Sequence, residues 1–288
     1  MWHEEVEIAG PYDFDRVLER MSLDPLVKMN KETRTLFLPF KEEKKQVVII
    51  QFTGTKEKPS FRISVKDHHD QAVAFAKHIL QIDKGLHPIS DHFKKTNLAS
   101  VFEEHAGTPL VLEPSPYSAL LKSVIHQQLN MSFAATLTKR FVTTFGEEIN
   151  GVWFYPEPEI VAAIEPEQLR ALQFSQRKAE YVIGIGQKVV SGELDFHALE
   201  EKSDEEIIKE LTAIRGIGPW TAQSVLLFGF GRMDIFPMGD IGIQNALKKH
   251  FELQDKPAIE QMVEWQKDWS PYLSYASLYL WRSIETGK

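Results

Sequence analysis

The sequence predicts an α+β N-terminal domain with an antiparallel sheet, followed by an all-helical body. Three observations carry this. Between residues 35 and 65, apolar side chains recur at every second position in three short runs, the period of half-buried strands. Beyond about residue 88 the apolar spacing lengthens to three and four, with capping residues at the breaks, the pattern of amphipathic helices. Residues 203 to 240 read as two short helices around a turn with glycines at 216 and 218, then an isolated carboxylate, Asp240.

In the first domain, residues 1 to 95, Val6-Glu7-Ile8 suggests a strand and Asp13 to Met21 a helix. Thr35 to Phe40 and Gln46 to Thr53 alternate as two strands around the charged turn KEEKK, and Phe61 to Val65 alternates as another. Asp70 to Gln81 gathers Ala72, Val73, Ala76, Ile79 and Leu80 on one side, which makes an amphipathic helix.

Residues 96 to 288 are expected to form an all-helical region, without strands. Asn97 to His105 is a short helix. EPSPY, at 113 to 117, supplies a cap and early prolines for a helix from Tyr117 to Leu129 that buries Leu120, Leu121, Val124 and Ile125. Asn130 or Ser132 caps the next, which runs to Phe145 and stops at Gly146. Helices at about 159 to 164, 167 to 173 and 176 to 191 lead into the hairpin unit. Three more follow it, at roughly 241 to 251, 257 to 268 and 271 to 285, the last with Ser270 as cap and Pro271 at its first position.

At 288 residues and 43% hydrophobic, the chain can bury a substantial core. No apolar run reaches membrane-spanning length, and MWHEEVEIAG lacks the basic start and apolar centre of a signal peptide, so a cytoplasmic monomer is expected. The absence of cysteine excludes disulfides, a thiolate nucleophile, and cysteine-held zinc or iron–sulfur clusters. His126, His250 and the His68-His69 pair show no metal-ligand spacing with carboxylates. The net charge of −8 argues against nucleic acid as partner. Net charge does not report distribution, however, and Lys122, Lys139, Arg140, Arg177, Lys178, Arg215, Lys248 and Lys249 would make a basic face if the fold gathers them.

Ser203 with Glu206 three residues on is a capping-box signature, and Ile207, Ile208 and Leu211 give the first helix of the hairpin unit an apolar stripe. Gly216 and Gly218 allow backbone angles that other residues resist, with Ile217 between them free to enter the core. Pro219 suits the first turn of the second helix, which Gly229 stops. Such a turn directs backbone N–H groups outward at a helix N-terminus, as a phosphate site does, or it merely joins two antiparallel helices.

The pattern hydrophobic, any residue, Gly, hydrophobic, Gly between two amphipathic helices resembles the helix-hairpin-helix motif, and Asp240, twenty residues after Trp220, sits as in the helix-hairpin-helix DNA glycosylase superfamily. The likeness extends over most of the chain to the bacterial 3-methyladenine DNA glycosylase II family. It includes PYDF at 11 to 14, VIHQQL at 124 to 129, LRALQFSQRKAEYV at 169 to 182, GIGPWTA at 216 to 222 and SYASLYLW at 274 to 281. The resemblance implies a glycosylase body that binds double-stranded DNA and cleaves the N-glycosidic bond of alkylated purines such as 3-methyladenine and 7-methylguanine, without an organic cofactor. A non-catalytic DNA-binding protein that keeps the hairpin is the rival reading.

By this resemblance Asp240 is the catalytic carboxylate, which stabilises an oxocarbenium-like sugar or orients the attacking water. As a plain residue it is also a good N-cap for the helix that follows, and the two roles are compatible. Asp234 is the rival carboxylate, in a loop with no helix of its own to cap. Trp220 stands where bifunctional relatives carry a Schiff-base lysine, which implies a monofunctional hydrolase. Trp269 is expected to line the pocket opposite the aspartate, unless Trp265 and Trp269 simply bury one helix face. Ser224 and Ile241 stand at pocket positions where relatives carry aromatic rings, and Arg20 replaces another ring. Gly216, Ile217 and Gly218 would grip a phosphate, with the carbonyls of Ile214 and Gly216 as candidate ligands of a monovalent cation. An intercalating side chain is expected among Gln127, Gln128 and Leu129, with Gln128 in the place where relatives have leucine. Alternatively, Gln127 and Gln128 cap backbone groups at the helix end.

Overall fold

The computed structural model describes residues 1–285. The alternating runs form a five-stranded antiparallel sheet in the order β1-β5-β4-β3-β2, with β1 (Trp2–Glu7), helix α1 (Phe14–Met21), β2 (Lys28–Asn30), β3 (Thr35–Lys41), β4 (Lys45–Phe52) and β5 (Ser60–Val65). Because side chains alternate across a strand, the register Leu36↔Ile50↔Ile63 and Phe52↔Phe61 places one continuous apolar face on the inside. Helix α2 (His69–Leu80) buries Ala72, Val73, Ala76, Ile79 and Leu80, and the Tyr12 hydroxyl donates to the Leu80 carbonyl at 2.7 Å.

The body follows with α3 (Leu86–Phe93), α4 (Ala99–Glu104), α5 (Pro116–His126) and α6 (Met131–Phe145). A short hairpin of β6 (Glu147–Ile149) and β7 (Val152–Phe154) comes next, then α7 (Pro158–Ala162), α8 (Pro166–Ala171), α9 (Gln176–Val190), α10 (Phe196–Glu200), α11 (Asp204–Thr212) and α12 (Pro219–Phe228). The last described elements are α13 (Ile241–His250), α14 (Ile259–Trp269) and α15 (Leu273–Glu285). No helix among the described residues is long and apolar enough to cross a membrane.

Three expectations are corrected. Strands do not disappear after residue 88: β6 and β7 pair around Asn150-Gly151, both at positive φ (53° and 77°), the Asn-Gly turn whose twist suits a tight hairpin. Helix α5 stops at His126, short of Leu129, because Gln127 turns to extended angles and Gln128 to left-handed ones (φ 58°). The last helix begins at Leu273, leaving Ser270 and Pro271 outside it; the Leu273 N–H is instead accepted by Asp234 Oδ1 at 3.3 Å.

Two hydrophobic cores result. One joins the sheet and α2 to α3, α4 and the buried sides of α13 to α15; the other is built from α5 to α12 with Leu26, Phe230 and Ile235 added. Phe228 and Trp281 pack against both, with ring centroids 5.9 Å apart, so they mark the seam between the two halves. Ion pairs reinforce the junction elsewhere: Lys122 of α5 contacts Asp24 and Glu113, each at 2.7 Å, and Lys45 reaches Glu147 and Glu157.

Candidate active site

Capping drives the hairpin unit. The Ser203 hydroxyl accepts from the Glu206 N–H while the Glu206 carboxylate accepts from the Ser203 N–H at 2.9 Å, and α11 buries Ile207 and Leu211. After α11, Gly216 takes φ 93°, and a Cβ there would lie 2.3 Å from the ring of Tyr181 on α9. Gly216 is therefore required twice, for its angle and for the close approach. Gly218 differs from expectation: its φ of −95° suits any residue, and a Cβ would meet nothing within 4 Å. Its side of the turn is open. Pro219 occupies the first turn of α12 and no side chain caps that helix, which leaves its first N–H groups without a side-chain partner. Ile217 anchors the turn in the core at 5% exposure. The carbonyls expected to hold a cation already accept hydrogen bonds, Ile214 from the Ile217 N–H at 3.0 Å and Gly216 from Gln127 Nε2 at 2.9 Å. No cluster of three or more His, Cys, Asp or Glu suited to a metal occurs among the described residues.

Asp240 lies at the seam. It caps α13, with Oδ1 accepting from the Ile243 N–H at 2.9 Å. Two indoles complete its surroundings: Trp281 Nε1 donates to Oδ1 at 2.8 Å and Trp220 Nε1 to Oδ2 at 2.8 Å. All three partners are donors, a set that a carboxylate with two acceptor oxygens can satisfy at once. The half-buried side chain is thus fixed by α12, α13 and α15 together. Gly242 makes room, since a Cβ there would fall 2.9 Å from Asp240 Oδ1 and 3.0 Å from Trp281 Cδ1. Beside this group Ile241 is 64% exposed, a large apolar side chain left at a helix start. Ser224, one turn beyond Trp220, is buried with its hydroxyl donating to the Trp220 carbonyl at 2.8 Å.

Trp281 is the site residue that sequence reasoning missed. It closes the SYASLYLW segment, but a tryptophan on an apolar helix carries no mark of its partner until α15 is set against α12. The expected pocket residue, Trp269, is instead fully buried in the sheet-side core. It packs edge-on against Phe236 and beside Trp265, and its indole N–H donates to Asn97 Oδ1 at 2.8 Å. Spacing of three and four along α14 turns Met262, Trp265 and Trp269 to one side, so the plain helix-face reading holds. Asp234 also acquires a structural role, accepting from the Ser270 hydroxyl at 2.7 Å and from the first N–H of α15. Arg20 pairs with Glu285 at 2.9 Å.

The loop after α5 is sorted as clearly. Gln127 does not face solvent for DNA: its Nε2 donates to the Gly216 carbonyl and to Thr221 Oγ1, at 2.9 and 2.7 Å. Leu129 packs against the helical core. Gln128 alone of the three is exposed, its side chain turned outward by the left-handed backbone. The proposed basic face shrinks, because Lys122 is held between two carboxylates and Lys178 is buried against the carbonyls of Val124, Ile125 and Gln127. Arg215 remains exposed over the Tyr181 ring, paired with Glu180 at 3.2 Å.

Comparison with known proteins places the chain in a family. The family model described as HhH-GPD superfamily base excision DNA repair protein matches residues 121–271. The Bacillus subtilis (strain 168) protein YfjP, which carries a provisional name as a DNA-3-methyladenine glycosylase, is 51% identical over 287 residues, covering 99% of this chain and 100% of that protein. A second protein of the same organism, named DNA-3-methyladenine glycosylase, is 33% identical over 220 residues, covering 75% of this chain and 73% of its own. Among solved structures, the 3-methyladenine DNA glycosylase of Archaeoglobus fulgidus superposes with a TM-score of 0.85 over 100% of this chain and 99% of that one, at 20% identity, a likeness of fold. The family match spans more than half of the 288 residues, so this chain belongs to the HhH-GPD superfamily of base excision DNA repair proteins, among relatives named as DNA-3-methyladenine glycosylases.

Proposed function

We propose that the enzyme is a monofunctional DNA glycosylase that releases cationic alkylated purines, 3-methyladenine and 7-methylguanine among them, from double-stranded DNA. The observation that carries this reading is the carboxylate of Asp240, clamped by the indoles of Trp220 and Trp281 at the seam between the two cores. As the glycosidic bond breaks, positive charge develops on the sugar, and a fixed carboxylate beside it lowers the energy of that state or aims the attacking water. An alkylated purine carries its own positive charge, so it departs without protonation by a second acid. One carboxylate suffices.

The target base must leave the helix to reach this seam. The open side of Gly218 and the uncapped start of α12 suit a backbone phosphate near the lesion, and the exposed Gln128 suits the gap that the flipped base leaves. The half-buried Trp281 ring and the exposed Ile241 flank the carboxylate, where an electron-poor base would find an aromatic face worth about 0.5 to 2 kcal/mol. Trp220, hydrogen-bonded to Asp240, cannot attack the sugar carbon, so water is the nucleophile and an abasic site the product.

The test is release of free base from N-methylated duplex DNA. The enzyme should liberate 3-methyladenine and 7-methylguanine, and borohydride should trap no covalent adduct. Salt-sensitive DNA binding without any base release would instead identify a binding protein that has lost the chemistry.

A further inference from the structure

The loop that carries Gln128 and the hairpin that carries Gly216 are held together by side chains outside the Asp240 site. The last carbonyls of a helix lack the i+4 amide that serves the others. Lys178, in the first turn of α9, brings its ammonium to three carbonyls at the end of α5, Val124 at 2.9 Å, Ile125 at 2.7 Å and, just beyond the helix, Gln127 at 3.0 Å. Three N–H donors meet three acceptors in a buried place, which leaves the lysine no donor for DNA. The next link is Gln127, whose amide nitrogen has two hydrogens and two acceptors, the Gly216 carbonyl and Thr221 Oγ1. Thr221 is itself 2% exposed, so this bond is shielded from water. One turn after Lys178, Tyr181 of α9 packs against the α-carbon of Gly216. The circuit runs from α9 to the end of α5, through Gln127 to the hairpin, and back to α9.

We propose that Gln127 and Lys178 are positioning residues that couple the phosphate-holding hairpin to the intercalating loop, so that docking of the strand on one forces Gln128 into the base stack on the other. This rests on the glycosylase reading above. Each link matters because a wedge does work only if its base resists being pushed back. With the circuit intact, Gln128 and the Gly216–Gly218 turn move as one body. With Gln127 uncoupled, the hairpin can hold a phosphate while the loop yields. The defect then falls on extraction of the base, the step whose cost depends on how firmly the lesion is paired.

The experiment compares wild type with Gln127→Leu, which keeps the side chain's bulk and removes both donors. Single-turnover base release is measured from duplexes with 7-methylguanine opposite cytosine and opposite an abasic site, alongside affinity for a duplex with an abasic-site analogue. Loss of a shielded hydrogen bond that leaves a carbonyl unpaired predicts a drop of about tenfold or more on the paired lesion. On the unpaired lesion the drop should be severalfold smaller, and affinity for the abasic analogue should stay near that of wild type. Thr221→Val removes one of the same bonds from the other side and should show the same selective defect in smaller measure, which keeps the test open if Gln127→Leu folds poorly. Equal losses on both lesions, or wild-type release by both variants, would overturn the coupling. Absence of release by wild type on either duplex would instead overturn the glycosylase reading.

Discussion

Trp281 donates its indole N–H to Asp240 Oδ1 at 2.8 Å across 41 residues of sequence, and the same ring stacks on Phe228 at the meeting of the two cores. The orientation of the carboxylate is therefore set by how the two halves pack. Trp281→Phe keeps an aromatic ring in the seam and deletes the donor. Single-turnover base release should fall about tenfold, and stability by about 1.5 to 3 kcal/mol at most, as expected for one lost hydrogen bond to a charged partner. Full activity in this variant would show that the indole is packing alone.

Asp240→Asn isolates charge from shape, but less cleanly than capping preference suggests. Asparagine caps helices about as well as aspartate. Here, however, Oδ1 accepts two donors and Oδ2 a third, so an amide that keeps its oxygen toward Ile243 and Trp281 turns its NH2 against the Trp220 N–H. We expect base release to fall at least about a hundredfold. Stability should drop by about 1 to 2 kcal/mol from the facing donors. Adding Trp220→Phe should restore stability and leave release absent, which a double-mutant cycle of urea midpoints and rates would read. Activity near wild type in Asp240→Asn removes the catalytic assignment.

Gly242→Ala separates the site from the helix it belongs to. A glycine replaced by alanine within a helix usually stabilises it by about 0.5 to 1 kcal/mol. At this position the new Cβ would stand 2.9 Å from Asp240 Oδ1 and 3.2 Å from Trp281 Nε1, so one of the two must yield. Release should fall about tenfold or more with no loss of melting temperature, because misplacing a catalytic group by less than an ångström is costly. Unchanged release would mean that the pair has slack.

Local signals were legible in the sequence and remote ones were not. The alternating runs at 35 to 65, the Ser203 capping box and the Pro219 helix start each depend on neighbours within a few residues, and each is where it was expected. The Asn150-Gly151 turn was equally local and was overlooked. Trp269 and Trp281 show the limit. Both are tryptophans on apolar helix faces, and which one enters the site is decided by whether α14 or α15 faces the second core. Gln127 is a similar case, since its partners lie 89 and 94 residues away. Asp240 could be singled out from its spacing to the hairpin, which a short chain segment sets; its indole partners depend on packing that no spacing records.

Acid should weaken the fold in a window set by His126. The ring is largely buried at the end of α5, with Nε2 beside Thr138 Oγ1 at 3.0 Å. Burial first, then the positive charges of Lys122, Lys178 and Arg20, only partly offset by Asp24, push its pKa down from 6.5 to about 4. The folded protein therefore holds this histidine neutral while the unfolded chain protonates it near pH 6.5. Stability is fully present above pH 6.5 and declines as the pH falls toward 4, by about 3 kcal/mol at most. Urea unfolding of wild type at pH 7, 5.5 and 4.5 should show this decline. In His126→Gln, which keeps a polar group beside Thr138 and cannot titrate, most of the difference between pH 7 and 4.5 should vanish. If the variant loses as much stability over that range as wild type, other groups govern the acid limb and His126 is charged within the fold.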